Sequence, residues 1–210
     1  MSTETLSLAP IELRVLGTLL EKQRTVPETY PLSLNALMAG CNQKTSRNPV
    51  IEVSERDLLP ALERLKELGL VHEVSGSRVI RFAHQFEKVV GVPSQSAALL
   101  TVLMLRGPQT AGELRLNSER LHKFADISSV EAFLAELASR PQGALVRELP
   151  RQPGSRENRW LHLLGDFVEE LPGSADAGRA PFASDDLLQR VSRLEEEVAE
   201  LRAMLRQLAG

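Results

Sequence analysis

Residues 54–70 read SERDLLPALERLKELGL and run directly into residues 71–82, VHEVSGSRVIRF. The first string predicts a capped amphipathic helix, because Ser54 and Asp57 have the spacing of a capping box and leucines recur every three or four residues. The second string predicts a β-hairpin that turns around Gly76. Helix followed by hairpin is the element that decides the fold.

The same pair of elements occurs a second time. Residues 128–139 read SSVEAFLAELAS, and residues 144–164 read ALVRELPRQPGSRENRWLHLL. Ser128 and Glu131 have the spacing of a capping box and predict the start of the second amphipathic helix. The hairpin that follows has a longer and more basic tip than the first one. The chain therefore contains one structural unit twice.

Two more helices are predicted in front of each of these units. In the first copy, residues 9–22 have one apolar helical face, and residues 32–39 fit a short helix. In the second copy, residues 94–105 repeat the apolar helix, and Thr110 with Glu113 forms the capping box of the short one. Three helices closed by a two-stranded hairpin is the winged-helix plan. We expect a mainly α fold with small β-hairpins, built as tandem winged-helix domains.

Pro60 leaves the start of the first amphipathic helix open between two possibilities. If Ser54 caps the helix, Pro60 lies beyond the first turn and is expected to bend it. If Asp57 is the cap, Pro60 falls within the first turn at little cost.

Composition and the repeat divide the chain into four parts. We assign residues 1–88 to the first winged-helix domain and residues 89–166 to the second, with residues 85–93 as the connector. Residues 167–184 are rich in Gly, Ala, Asp and Pro and predict a flexible linker. Residues 185–210 carry heptads and predict a coiled-coil helix.

The heptads predict a parallel homodimer. A β-branched residue at a with leucine at d favours two strands, and valine fills two of the three a positions; charges at e and g are attractive in a parallel register. The alternative is an amphipathic helix that folds back onto its own domains. The predicted dimerisation residues are Leu187, Val191, Leu194, Val198, Leu201, Leu205 and Leu208.

Charge and composition exclude several classes of protein. Net charge is −3, and the negative charge is concentrated in residues 167–210, so the two predicted domains are close to neutral. That balance argues against strong nonspecific DNA affinity, and the few aromatic residues argue against single-strand stacking platforms. No run approaches the length of a membrane span and the start lacks a signal-peptide pattern, so we expect a cytoplasmic protein with no membrane partner. A single cysteine, Cys41, fits a reducing compartment.

Two long strings resemble a known family. PLSLNALMAGCNQKTSRNPV at residues 31–50 and LVRELPRQPGSRENRWLHLL at residues 145–164 are similar to the YceH-like family of uncharacterised bacterial proteins, as is ISSVEAFLAEL at residues 127–137. The resemblance extends over residues 8–165. It implies a tandem winged-helix fold and a bacterial cytoplasmic setting, and it supplies no catalytic or ligand-binding residues.

The candidate functional residues are basic and lie mostly outside the third helices. The connection at residues 40–53 is longer than a helix-turn-helix needs, and its apolar residues predict a cover over the first domain. The second hairpin is rich in arginine, which suits phosphate or minor-groove contact, although these arginines could equally be solvated or paired with neighbouring glutamates. The candidate nucleic-acid contacts are Lys44, Arg47, Arg56, Arg147, Arg151, Arg156 and Arg159.

No chemistry-bearing motif accompanies these residues. There is no phosphate-binding loop, nucleophile elbow or Cys/His arrangement, and the four histidines lack ligand spacing, so we expect no enzyme, no cofactor and no metal. Cys41 has Lys44 and Arg47 nearby and could be redox-active, but a small apolar residue at a helix end is the commoner role.

Two functions follow as expectations. The leading hypothesis is a homodimeric DNA-binding regulator in which pairing adds the modest contacts of each chain to double-stranded DNA. The alternative is a protein–protein adaptor built on the same fold, which the acidic starts of the third helices favour.

Overall fold

The computed structural model describes residues 6–75, 79–151, 154 and 157–165. Over these residues the chain is a mixed α/β protein with seven α-helices and two small antiparallel sheets. Its elements are α1 Pro10–Thr25, a 3-10 turn Pro27–Thr29, β1 Leu32–Ser33, α2 Leu34–Cys41, α3 Glu55–Glu67, β2 Val71–Val74, β3 Arg81–His84, α4 Phe86–Val90, α5 Ser94–Arg106, α6 Ala111–Asn117, α7 Ile127–Ala138, β4 Val146–Glu148 and β5 Trp160–His162.

The first repeat, α1 to β3, closes its three helices with a three-stranded sheet. The strands lie in the order β1-β3-β2, and all neighbours are antiparallel. Leu32 is paired with Phe82, and Val71 is paired with His84. Residues 32 and 33, which the pattern assigned to the second helix, instead form β1, so α2 begins only after Ser33. Its hydroxyl accepts a hydrogen bond from the backbone N–H of Ala36 and caps the helix.

The second repeat, α5 to β5, has the same element order with a smaller sheet. β4 and β5 are antiparallel, with Val146 opposite His162. A single bridge between Gln109 and Trp160 occupies the place that β1 has in the first repeat. Thr110 then caps α6, as Ser33 caps α2. The correspondence extends to the turn before each short helix.

The two repeats are packed around one continuous apolar core within a single compact unit. Helix α5 is apolar on every side, and its residues 96–105 are all buried, as expected for a helix at the centre of a protein. It packs against α1, where a Cβ added to Gly17 would lie 2.9 Å from Leu105 Cδ2. The absence of a side chain at Gly17 thus allows the two helices to approach closely.

Backbone hydrogen bonds also join the repeats. The N–H of Leu8, before α1, donates to the carbonyl of Leu164, after β5, at 2.8 Å. The N–H of Asn48, in the loop of the first repeat, donates to the carbonyl of Leu105 at the end of α5, also at 2.8 Å. The start and the middle of the first repeat are therefore both tied to the second.

The local signals for α3 and α6 are confirmed. Thr110 and Glu113 form both reciprocal bonds of the predicted capping box. At α3 the N–H of Ser54 donates to Asp57 Oδ2 at 2.9 Å, but the Ser54 hydroxyl donates to the same carboxylate and accepts no helix N–H, so one of the two bonds of the box is made. With Ser54 as the cap, Pro60 lies inside α3, so its missing N–H leaves one intrahelical bond unformed.

One local prediction is wrong. Helix α7 is capped by Asp126, whose carboxylate accepts the N–H of Ser129 at 2.7 Å, and not by Ser128. The carboxylate of Asp126, two residues before Ser128, accepts an orphan N–H of the first turn, so the helix begins earlier than predicted. The predicted connector at residues 85–93 includes the short helix α4, whose Phe86 is fully buried and anchors the segment against the core.

None of the helices in the described residues is both long and apolar enough to cross a membrane. The predicted linker at residues 167–184 and the coiled coil at 185–210 lie outside the described residues, as does most of the second hairpin tip.

Candidate binding surfaces

The loop that connects α2 to α3 is held tightly to the first repeat. The side chain of Asn42 donates to the carbonyl of Val53 at 2.8 Å and accepts its N–H at 2.7 Å, so the two ends of the loop are clamped together. Arg14 of α1 donates to the carbonyls of Cys41 and Pro49. The predicted apolar cover is formed in part, because Val53 is buried while Val50 remains 56% exposed.

Arg47 is a buried structural residue, which corrects its prediction as a nucleic-acid contact. Its guanidinium lies 2.6 Å from Glu21 Oε2 and 3.1 Å from Glu21 Oε1, and its side chain is 0% exposed. It also donates to the carbonyl of Gly40 and to the side chain of Gln43. These acceptors leave no guanidinium face for a phosphate.

Arg47 keeps the Glu21 side chain of α1 ionised. Burial alone would raise the pKa of Glu21, but the hydrogen bonds and charge of Arg47, helped by Lys22, hold that pKa below its usual value. Glu21 is therefore a carboxylate whose negative charge is matched inside the fold.

Arg159 also has a structural role. Its guanidinium donates to the carbonyl of Pro108 at 2.9 Å and lies 3.4 Å from Glu113. Arg81, at the equivalent place in β3, donates to the carbonyl of Pro31 at 2.7 Å. Each arginine ties the last strand of its repeat to the turn before the short helix, so this contact is part of the repeated fold.

The remaining basic candidates lie on the surface. Lys44 is exposed in the loop, and Arg56 is exposed on α3 between two acidic residues. Arg147 on β4 and Arg151 after it are exposed on the second hairpin. Arg156 lies outside the described residues.

The outward faces of the third helices, α3 and α7, are not basic. The exposed charged residues of α3 are Glu55, Arg56, Asp57, Glu63, Arg64 and Glu67, so acids outnumber bases. Helix α7 contains no lysine or arginine, and its exposed charges are Glu131 and Glu136. Such faces would bring negative charge close to the phosphates of a DNA duplex.

An apolar patch lies between α6 and α7. Ile127, the first residue of α7, is 45% exposed, and Leu116 on α6 is 69% exposed. A Cβ added to Gly112 would lie 3.9 Å from Ile127 Cδ1, and Leu116 is one helical turn beyond Gly112 on the same side of α6. We call Gly112, Leu116 and Ile127 the α6–α7 patch. The carboxylate of Glu157 borders it, 3.9 Å from the same Cβ position.

Comparison with known proteins places these features in a family. A family profile described as "Protein of unknown function, DUF480" matches residues 8–155. The chain belongs to the DUF480 family. This confirms the resemblance to a family of uncharacterised bacterial proteins.

Relatives of this DUF480 chain are similar over nearly their full length. A UPF0502 protein of Dechloromonas aromatica is 68% identical over 209 residues, covering 98% of this chain and 97% of that protein. A UPF0502 protein of Burkholderia multivorans is 59% identical over 209 residues, covering 97% of this chain and 88% of that protein.

Cys41 is buried in this DUF480 member and is packed as a small core residue. Its Sγ lies 3.6 Å from the hydroxyl of Thr18, and its side chain is 0% exposed. Burial raises the pKa of the Cys41 thiol, although Thr18 and the nearby Arg47 and Arg14 oppose that rise. A raised pKa disfavours the reactive thiolate.

Two buried histidines hold equivalent positions at the ends of β3 and β5. The Nδ1 atoms of His84 and His162 accept backbone N–H groups two residues later, at 3.4 Å in both cases. Burial lowers the pKa of each imidazole to about 4, with a smaller contribution from Arg24 and His72 at His84. Within the described part of the chain no cluster of His, Cys, Asp and Glu has the arrangement of a metal site.

Sequence reasoning missed the α6–α7 patch and the repeated histidines. Leu116 follows the apolar periodicity of α6 and was indistinguishable from a core residue in the sequence alone. The histidines had a usable signal, because Arg81-Phe-Ala-His84 aligns with Arg159-Trp-Leu-His162. That alignment also marks both arginines as parts of the scaffold.

Proposed function

We propose that the two repeats are winged helices and that the protein is a protein–protein adaptor whose α6–α7 patch docks a partner. The winged-helix assignment rests on the order of three helices and a hairpin in each repeat, with β1 or its single-bridge equivalent before the short helix. The observation that carries the functional proposal is the surface of α7, which has exposed apolar and acidic residues and no basic one.

The chemistry of the patch defines the partner. An exposed leucine and an exposed isoleucine beside a glycine form a shallow apolar surface, which is the kind of feature that anchors protein interfaces. Glu157 borders the patch, and Glu131 lies one turn after Ile127 on α7. We therefore expect a partner segment that presents an apolar anchor next to lysine or arginine.

The experiment compares capture of partners by matched variants of the full-length protein. Leu116→Glu places a charge in the α6–α7 patch, whereas Val89→Glu places the same charge on α4, at a residue that is 47% exposed. We expect a partner protein that is captured by wild type and by Val89→Glu but not by Leu116→Glu. Its capture by wild type should persist at high salt and after nuclease treatment. A set of captured proteins that is the same for both variants would contradict the proposal.

DNA binding is a second candidate, favoured by the arginine content of the second hairpin. Arg147 and Arg151 are exposed there, and the tip contains Arg156. The proposed C-terminal dimer would add the contacts of two such hairpins.

A salt series distinguishes this candidate from the adaptor. We would measure binding to mixed-sequence duplex DNA together with light scattering for the mass of the assembly. If the hairpin binds phosphates, an Arg147→Gln/Arg151→Gln double variant lowers the slope of log affinity against log salt by about 2. Absence of binding at low salt would remove the DNA candidate.

A further inference from the structure

A polar cleft of about 200 Å³ lies between the two repeats. One wall comes from the end of α1 and from the loop after α2, and the other comes from the end of α5 and the region after α6. Apolar side chains contribute to both walls. Its polar lining includes Glu21, Lys22, Thr45, Ser46, Arg106 and Arg120.

The cleft has an excess of positive charge. Lys22, Arg106 and Arg120 line it, against the single carboxylate of Glu21. That carboxylate is already matched by the buried Arg47 at 2.6 Å. Glu21 also lies 3.5 Å from Lys22, so Arg106 and Arg120 are the two cations of the lining that have no carboxylate partner in the described part of the chain.

Two of these cations have donors to spare. Arg106 donates to the hydroxyl of Ser46 at 2.8 Å and has no carboxylate partner among the residues that the structure describes. Arg120 has neither a hydrogen-bond partner nor an ion-pair partner in the same part of the chain. A guanidinium carries five N–H donors in a planar fork that matches phosphate oxygens.

Ser46 is held at the mouth of the cleft in an uncommon conformation. Its φ is 60°, in the left-handed region that residues other than glycine seldom adopt. Its carbonyl accepts a hydrogen bond from Arg47 of the first repeat at 2.9 Å, and its hydroxyl accepts one from Arg106 of the second repeat at 2.8 Å. Both repeats therefore hold Ser46 in place. Ser46 and Thr45 place hydroxyl groups beside the cations, and such groups can also bind phosphate oxygens.

We propose that this cleft binds a small phosphate-bearing anion. Its volume is below the range of roughly 300–1,000 Å³ that is typical of sites for drug-sized ligands, so it suits a phosphate or pyrophosphate group. Because its walls belong to both repeats, the bound anion would bridge them and stabilise their packing. This inference does not depend on the adaptor proposal, since the cleft residues are not those of the α6–α7 patch.

The test uses inorganic pyrophosphate as the probe and the full-length protein. Calorimetry and thermal unfolding at constant ionic strength are expected to give saturable binding and a Tm that rises with pyrophosphate concentration. Arg120→Gln is the main variant, because Arg120 makes no contact that the fold needs, and it should weaken binding by about tenfold or more. Arg64→Gln removes the same charge from the exposed face of α3 and should leave binding unchanged.

Three results would overturn the proposal. The first is no saturable binding, and the second is equal weakening in Arg120→Gln and Arg64→Gln, which indicates general charge attraction. The third concerns the source of the phosphate. If a short DNA duplex displaces pyrophosphate, and its own binding is lost in Arg120→Gln, the cleft recognises a nucleic-acid backbone and not a small anion.

An Arg106→Gln variant that also loses pyrophosphate binding, but keeps its Tm without ligand, would support the assignment independently.

Discussion

Stability should fall steeply in mild acid because of His84 and His162. Both imidazoles are buried, at 8% and 7% exposure, and both are held neutral with a pKa of about 4. In the unfolded chain each takes up a proton near the ordinary pKa of about 6.5. The unfolded state therefore binds more protons than the folded state between these values. The stability contributed by neutral histidine is complete above about pH 6.5 and is lost as the pH falls to about 4.

The size of the effect follows from the shift in pKa. A pKa that moves from 6.5 to about 4 corresponds to about 3 kcal/mol for each histidine, at about 1.36 kcal/mol per pH unit. Two such groups together approach about 6 kcal/mol, which is comparable with the whole free energy of unfolding of a typical domain, about 5–15 kcal/mol. We therefore expect acid unfolding to begin well above the range where carboxylates titrate.

Urea unfolding at a series of pH values from 7.5 to 4.5 measures this loss directly. His84→Asn and His162→Asn remove the titrating imidazole and retain an acceptor near the position of Nδ1. Each variant is expected to lower stability at pH 7.5 and to flatten the dependence on pH. His122→Asn is the control, because His122 is only half-buried and packs its ring against Phe124 at a centroid distance of 4.6 Å.

The decisive quantity is the slope of the free energy of unfolding against pH, not the free energy at any one pH. If wild type and the His84→Asn/His162→Asn double variant lose the same free energy between pH 7.5 and 4.5, the buried histidines do not govern the acid response. The same pH dependence in His122→Asn and His162→Asn would also refute the reasoning, since burial is the stated cause.

Two further predictions test the loop and the core cysteine. Arg47→Met removes the bidentate partner of the Glu21 carboxylate and leaves it only Lys22 at 3.5 Å, so it should lower the free energy of unfolding by up to about 3–5 kcal/mol. Lys44→Met, at an exposed position of the same loop, should change the free energy of unfolding little. Urea unfolding of both variants measures the difference, and equal effects would contradict the buried ion pair. Cys41 should resist thiol-specific reagents in the native protein and react fully in denaturant, because its side chain is 0% exposed and burial raises its pKa. Rapid modification of the native protein would count against that placement.

Elements with short-range signals were predicted well from the sequence. The capping boxes at Ser54 and Thr110 join residues three positions apart, so the chain carries both partners within one turn. Helix α5 was evident because a run of apolar residues of that length is buried whatever it packs against. In contrast, α4 has only five residues, and its formation depends on the burial of Phe86.

The candidate site was predicted less well, because accessibility is a long-range property. Arg47 looks like a loop cation in sequence, yet its partner Glu21 lies 26 positions earlier on another helix. No local sequence pattern predicts the ion pair between Arg47 and Glu21. Arg159 was likewise predicted as a nucleic-acid contact, although its alignment with Arg81 is present in the sequence and agrees with the structural role that both arginines have.

Duplication gives a way to separate structural from functional residues in this chain. A contact that both repeats make, such as Arg81 to Pro31 and Arg159 to Pro108, is needed to close the repeat and cannot distinguish one repeat from the other. Function must therefore be sought where the repeats differ. The first repeat alone has the long clamped loop that carries Ser46, and the second alone has the exposed Leu116. The cleft and the α6–α7 patch both depend on such differences, which is the reason to test those two surfaces before the repeated geometry of the hairpins.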